Sequence, residues 1–292
     1  MEFPLSCSFS IAGLVIGLRT PRPIKVTEPF LPFLTEAESD YTALFREVPA
    51  LPATAGKELF RSASYAAYRD EQGGYFRLFR DGAHDVTEPY ALSRMDWDKR
   101  LVLIDVLPTG REFVSESGNC FFHTGWENLL LREKRLILHG ACVDTPLGGL
   151  LFSGPSGIGK STQAELWCRY GDGRQINGDR PILHKQDRTW YAWGSPYAGS
   201  SHCHVNASCP LRAIVMLRQA ESCTLRRLGA AEAFRKLFAG LTVSSWAPEA
   251  VAAAGDLAEE LACDVPVYEL ACTPDQKAVE ILRQELSGGV SR

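Results

Sequence analysis

A chain of 292 residues, 45% hydrophobic and 23% charged, is long enough to bury a sizeable core and to form two domains with the composition of an ordinary soluble enzyme. Its formal net charge of −4 excludes a nucleic-acid binder that relies on broad positive potential. The nine cysteines are scattered without paired spacing, which argues for a reducing, cytoplasmic setting over a disulfide framework.

In the first 118 residues, short extended runs alternate with turn residues. Residues 8–18 (SFSIAGLVIGL) could pass for a signal core, but the six residues before Cys7 hold Glu2 and no Lys or Arg. Leu5-Ser6-Cys7 resembles a lipoprotein site placed before the apolar run instead of after it, so a first β-strand is the better reading. No run approaches the ~18 apolar residues of a membrane span. Glu28-Pro29 and Leu31-Pro32 should keep the next stretch out of helix. Residues 59–68 and 75–80 flank Asp70-Glu71-Gln72-Gly73-Gly74, a hairpin signal, and 100–106 and 112–114 read as further strands around Pro108-Thr109-Gly110. We read 1–118 as a β-rich, mostly antiparallel module.

The period changes near Asn119. Phe122, Trp126, Leu129 and Leu130 fit one helix face, predicting a helix over 120–132 that opens a second domain, 119–292. Residues 136–143 (LILHGACV) read as a strand, 144–149 as a turn, and 150–153 as a second strand. That strand feeds Gly154-Pro155-Ser156-Gly157-Ile158-Gly159-Lys160-Ser161-Thr162, a complete G-x-x-x-x-G-K-S loop. Glycines at 154, 157 and 159 permit dihedrals closed to most side chains, so successive backbone N–H groups can converge on phosphate oxygens. A helix over 161–170, closed by Gly171 and Gly173, adds about half a positive charge at its start. Lys160 would reach the β and γ phosphates of ATP, and the Ser161 hydroxyl would complete a Mg²⁺ shell.

After that helix, 175–179 is a short strand ending in Asp179, 189–193 a strand, and 194–201 a loop of small residues that could admit a substrate backbone or hydroxyl. Strands follow at 211–217, 224–228 and 265–271, with helices at 230–238 and 249–263. A last helix runs to 286, with Thr273 as N-cap and Pro274 as its first residue. Most phosphate-loop enzymes hold Mg²⁺ with a second carboxylate on an apolar strand well downstream, but the strand over 211–217 ends in Arg218 and Gln219. The nearest acidic residue in a suitable place is Asp179, only 19 residues beyond Lys160.

Leu138-His139-Gly140, the turn through Asp144, GPSGIGKST and a strand with an acidic end together resemble the catalytic domain of HPr kinase/phosphorylase, and more closely the stand-alone HPr-kinase-like proteins related in fold to ATP-dependent phosphoenolpyruvate carboxykinase. The resemblance covers about 136–286 and is strongest from His139 to Asp179. It implies an α/β (α+β) catalytic domain with a mixed sheet around the phosphate loop, behind the β-rich N-terminal module. It also implies ATP- and Mg²⁺-dependent phosphoryl transfer to a Ser or Thr hydroxyl of a protein or peptide. Lys160 and Ser161 match the loop lysine and metal-binding serine, and His139 matches a histidine near the transferred phosphate. The HPr enzymes close the corresponding strand with two aspartates, base and metal ligand; here the pair is Gly178-Asp179, which leaves the general base open and counts against reverse phosphorolysis.

Taken by themselves, Asp179 could orient an acceptor, hold metal through water, or merely cap a turn, and His139 could shuttle protons, touch phosphate or be satisfied by backbone. Arg180 could clamp phosphate or form an ion pair; Arg218 could reach a phosphate. His202-Cys203-His204 with Cys209 lacks the paired spacing of a structural zinc site. Trp190, Trp193 and Tyr197 fit core edges better than base stacking. A small-molecule kinase and a nucleotide sensor without transfer stay open as alternatives, and a carboxykinase lacks its Lys and His ligand set. Neither nucleic acid nor membrane is expected as a partner, and the oligomeric state, a homo-oligomer included, is left open.

Overall fold

The computed structural model describes residues 5–82 and 86–288, and the chain divides into two compact units, 1–126 and 127–292. The first unit is built on a nine-stranded mixed sheet. Its strands are β1 (Leu5–Ile11), β2 (Leu14–Thr20), β3 (Leu34–Thr35), β4 (Tyr41–Glu47), β5 (Lys57–Arg61), β6 (Tyr65–Arg69), β7 (Tyr75–Asp81), β8 (Val86–Asp96) and β9 (Leu101–Val106). They lie in the order β3-β1-β2-β4-β9-β8-β7-β6-β5, with β2/β4 and β4/β9 parallel and the other pairs antiparallel.

Several sequence expectations change here for local reasons. The run 8–18 is two strands, because Ala12 and Gly13 adopt positive φ and turn β1 onto β2. β4 went unread although Tyr41, Ala43 and Phe45 are buried in strict alternation. The prolines at 29 and 32 do not abolish helix: Glu28–Phe33 is a 3₁₀ turn with Pro at its start. Residues 112–114 likewise lie in a 3₁₀ turn, Pro108–Val114.

The single helix expected over 120–132 is two, α1 (Ser117–Thr124) and α2 (Trp126–Arg132). Between them Gly125 sits at φ +66, and a Cβ there would stand 2.3 Å from the Arg77 guanidinium. Phe122 is 41% exposed, so the apolar residues counted across the break do not form one stripe.

α1 brings Phe121 into an edge-on cluster with Phe9 and Phe30 and buries His123 completely. His123 Nδ1 donates to Asn119 O at 2.7 Å, and Nε2 accepts from the Tyr90 hydroxyl at 3.0 Å. With Nδ1 donating, it is the acceptance at Nε2 that calls for the neutral ring, and burial pushes the pKa of His123 down to about 4. A histidine depressed in the fold stabilises it fully above its unfolded pKa of about 6.5. That stability drains as pH falls from 6.5 to 4, by up to roughly 3 kcal/mol at ~1.4 kcal/mol per pH unit. Urea unfolding between those pH values should show the slope, and His123→Gln should flatten it.

The second unit is a sheet between two helical layers. Its strands are β10 (Arg135–Ile137), β11 (Gly140–Asp144), β12 (Gly149–Ser153), β13 (Arg174–Asn177), β14 (Ile182–Gln186), β15 (Thr189–Trp193), β16 (Ser208–Gln219), β17 (Thr224–Arg227) and β18 (Val267–Cys272). The order is β10-β14-β15-β16-β12-β11-β13, with β18 on β16 and β17 on β18; β12/β16 and β16/β18 are parallel. β14 went unread because its hairpin to β15 turns on Asp187 and Arg188, both at positive φ without a glycine to signal it.

Leu150 and Phe152 face the core shared with α3 (Lys160–Tyr170) and α6 (Gln276–Gly288). Leu151, between them, faces α4 (Ala230–Gly240) and α5 (Pro248–Asp264). A strand buried on both faces must be apolar throughout, and each such side chain contributes roughly 1.5–3 kcal/mol of burial. α6 begins two residues later than its sequence suggested: Asp275, not Thr273, caps it, accepting the Lys277 N–H at 2.9 Å, which leaves Pro274 outside the helix. Among the described residues no helix is long and apolar enough to cross a membrane.

Candidate active site

The β12 to α3 connection carries the site. Gly154, Gly157 and Gly159 adopt φ of +145, +76 and +110, conformations that side chains rarely take. At Gly157 and Gly159 a Cβ would meet nothing within 4 Å, so dihedral and not space selects glycine there. Gly159 caps α3 without offering a side-chain acceptor to the first-turn amides. Those donors and the helix dipole therefore face the loop.

Lys160, the first residue of α3, is 8% exposed. Its Nζ donates to Gly154 O at 3.2 Å and Pro155 O at 3.0 Å, both neutral acceptors. Burial holds its pKa below the usual lysine range, with Asp179 acting in the other direction. A desolvated ammonium satisfied only by carbonyls is poised for an anion. Ser161 is half-buried and Thr162 exposed one and two residues further on.

The strand expected over 136–143 is interrupted, and the interruption makes the site. β10 ends at Ile137 and β11 starts at Gly140, and between them His139 leaves the ladder. Its N–H donates to Gly240 O at 2.9 Å, and its carbonyl accepts from the Ser153 hydroxyl at 2.7 Å. His139 is thus pinned to the end of α4 and to the last residue before the loop.

The strand expected over 175–179 also stops early, at Asn177, and turns. The turn brings Asp179 back so that its carbonyl accepts the Gly140 N–H at 2.8 Å and Oδ1 lies 3.2 Å from His139 Nε2. On the other oxygen, Arg180 Nε stands 3.4 Å from Oδ2 while Nη1 donates to Thr242 Oγ1 at 2.8 Å. Burial is the largest influence on His139 and lowers its pKa, with Lys160 adding to the effect and Asp179 opposing it. At neutral pH the ring is therefore uncharged, and since a carboxylate only accepts, Nε2 carries the proton. His139, Lys160 and Asp179, far apart in sequence, lie close enough to feel one another's charge.

No protein-family model matches this chain, and no curated protein matches it in sequence. Solved structures do: the Hpr(Ser) kinase/phosphatase from Coxiella burnetii is similar at 13% identity over 53% of this chain and 94% of that one, with a TM-score of 0.34. A superposition that loose carries no functional argument.

Gly178, next to Asp179, cannot take a side chain. A Cβ there would lie 1.7 Å from Ser201 Oγ and 2.4 Å from Ser201 Cβ. Ser201 is held in turn by donating to Ala198 O at 2.7 Å. Gly199 packs on Asp179, where a Cβ would sit 3.0 Å from the aspartate Cβ. The small residues of 194–201 are therefore used, at these positions, for packing the loop against the Asp179 turn. Gly178→Asp should destabilise the fold; overpacking of this kind costs typically 1–3 kcal/mol, and thermal denaturation should show the loss.

Of the other candidates, Arg218 is exposed near the end of β16, one residue after Leu217, whose carbonyl oxygen would lie 3.4 Å from a Cβ at Gly154. Cys203 donates its thiol to Gln175 O at 3.4 Å, whereas Cys209 is buried in the core. Trp190 is buried, with Nε1 donating to Asp264 at 2.9 Å. Thr242 and Ser153 escaped sequence reading, since nothing local marks a hydroxyl that meets its partner only through the fold. Oxygen donors such as Asp179 and Ser161 suit a hard divalent cation. Among the described residues no group of three or more His, Cys, Asp or Glu gathers to hold an ion alone, so Mg²⁺ here would also need phosphate and water oxygens.

Proposed function

We propose that this chain is an ATP- and Mg²⁺-dependent phosphotransferase acting through a phosphate loop, with a Ser or Thr hydroxyl of a protein or peptide as acceptor. The observation that carries the reading is the buried Lys160 ammonium at the start of α3, held only by loop carbonyls, with the His139–Asp179 pair beside it. Phosphoryl transfer asks little covalent chemistry of a protein and much positioning and charge neutralisation.

In this reading the amides of 154–162 and the α3 N-terminus cradle the polyphosphate, and Lys160 exchanges its carbonyl partners for β and γ oxygens. Ser161 and Asp179 would hold Mg²⁺, which when bound neutralises phosphate charge. Asp179 takes the acceptor's proton, while neutral His139 fixes the carboxylate through Nε2–H. Arg180 braces the opposite oxygen and shares itself with Thr242.

Titration calorimetry with MgATP, followed by labelled ATP offered to peptide and metabolite pools, tests the proposal. Label on peptide supports it, label on a metabolite selects a small-molecule kinase, and binding without transfer selects a sensor. The sensor reading draws on one observation, that both Asp179 oxygens already have partners. Absence of MgATP binding would overturn all three.

A further inference from the structure

We propose that Asn177 is the positioning residue of this site, setting Asp179 against His139 and Lys160 by holding the 178–180 turn from within the core. The proposal rests on the phosphotransferase reading for its kinetic consequences and on coordinates alone for its geometry.

Asn177 is the last residue of β13 and is completely buried. A buried amide is costly unless all its donors and acceptors are used, and here they are. Oδ1 accepts two backbone N–H groups, from Asp179 at 3.0 Å and from Arg180 at 2.8 Å. Nδ2 donates to the other side of the turn, towards Ser195 O at 3.0 Å, Tyr197 O at 3.3 Å and Ser195 Oγ at 3.4 Å. Ser195, also fully buried, then donates its hydroxyl to Arg180 O at 2.7 Å. One side chain thus bolts the segment bearing Asp179 and Arg180 to the loop that packs over Gly178.

Other backbone ties of the turn, the Ser195 hydroxyl to Arg180 O at 2.7 Å and the Gly140 N–H to Asp179 O at 2.8 Å, fix its path and not the direction of the carboxylate. Asp179 is followed by Arg180, and the two side chains diverge from adjacent Cα atoms to meet again at 3.4 Å. Consecutive amides captured by a single oxygen fold the backbone tightly enough for that. With the capture removed, the carboxylate can swing away from His139 Nε2, and displacement of a catalytic group by about 1 Å can cost on the order of 100-fold in rate.

Asn177 touches neither Lys160 nor the loop amides, so its loss should spare nucleotide affinity. In Asn177→Ala we expect kcat for MgATP hydrolysis, with water as acceptor, to fall at least about tenfold while the calorimetric Kd for MgATP stays within about threefold. In an Asp179→Asn background, Asn177→Ala should cost less than about twofold more, because it acts through a carboxylate already gone. Full additivity in that cycle would make Asn177 a general stabiliser and overturn the proposal. Asn177→Asp, which keeps the acceptor for both amides but turns an oxygen towards two carbonyls, tests the same point if the alanine variant does not fold.

Hydrogen exchange of the backbone amides needs no nucleotide. Asp179 and Arg180 N–H should lose protection in Asn177→Ala while the β12 amides keep theirs. Unchanged protection at 179 and 180 would overturn the proposal whatever the kinetics show. If wild type fails to bind MgATP, the phosphotransferase reading falls, and the exchange result still decides whether Asn177 holds the turn.

Discussion

Lys160→Ala will weaken MgATP binding by at least about 100-fold, measured by calorimetry. The magnitude follows from what the ammonium does when its carbonyl partners are replaced by phosphate oxygens. Each charge-assisted hydrogen bond is worth roughly 1.5–3 kcal/mol, and ~3 kcal/mol in total is already about two decades of affinity. The substitution should not unfold the protein. Lys160, 8% exposed, donates two hydrogen bonds, both to neutral carbonyls, so truncation relieves a desolvated charge. We expect a melting temperature unchanged or slightly higher without nucleotide, and a melting temperature no longer raised by MgATP. Undiminished affinity in the folded variant would end the phosphate-loop assignment.

Asp179→Asn should behave in the opposite way, leaving the MgATP Kd within about threefold while phosphoryl transfer falls by 10²–10⁴, the span typical of losing a general base. The amide is isosteric, and its oxygen can still accept from His139 Nε2–H, so the 3.2 Å contact survives. What disappears is the negative charge that balances Arg180 at 3.4 Å and would accept the acceptor's proton. Transfer at wild-type rate would remove Asp179 from the mechanism and send attention to His139. In the proposed mechanism the two variants separate binding from chemistry, because Lys160 would contact the nucleotide directly whereas Asp179 would reach it only through Mg²⁺ and its water.

How far the chain could be read before its structure depended on the range of the forces involved. The strand at 149–153, the loop to Thr162 and the helix behind it were legible because each is dictated within a dozen residues: a doubly buried apolar run, glycines at forced dihedrals, then a helix-permitting stretch. Strands β16, β17 and β18 and helices α4 and α5 were legible for the same reason, with ends shifted by a few residues. The readings that failed turned on left-handed residues or on distant groups that override the local pattern. Gly125 ends α1 as a left-handed C-cap, and Arg77 lies where a Cβ there would stand. β10 and β11 separate at His139 because Gly240 and Ser153 bind its backbone. The β14 hairpin was missed because Asp187 and Arg188 accept positive φ that sequence would assign to glycine.

By itself the sequence determined a glycine loop between a strand and a helix, with a lysine and a serine at fixed places, and a lone aspartate at 179. Those follow from the covalent order of residues whose dihedral and charge requirements are local. Only the tertiary structure decided that Asp179 meets His139, that Arg180 is taken by Asp179 and Thr242, and that Ser201 fills the space a side chain at 178 would need. Such contacts join segments that are adjacent only once the sheet has paired β11 with β13 and β10 with β14. Their partners are chosen by packing, for which no short stretch of chain carries the instruction.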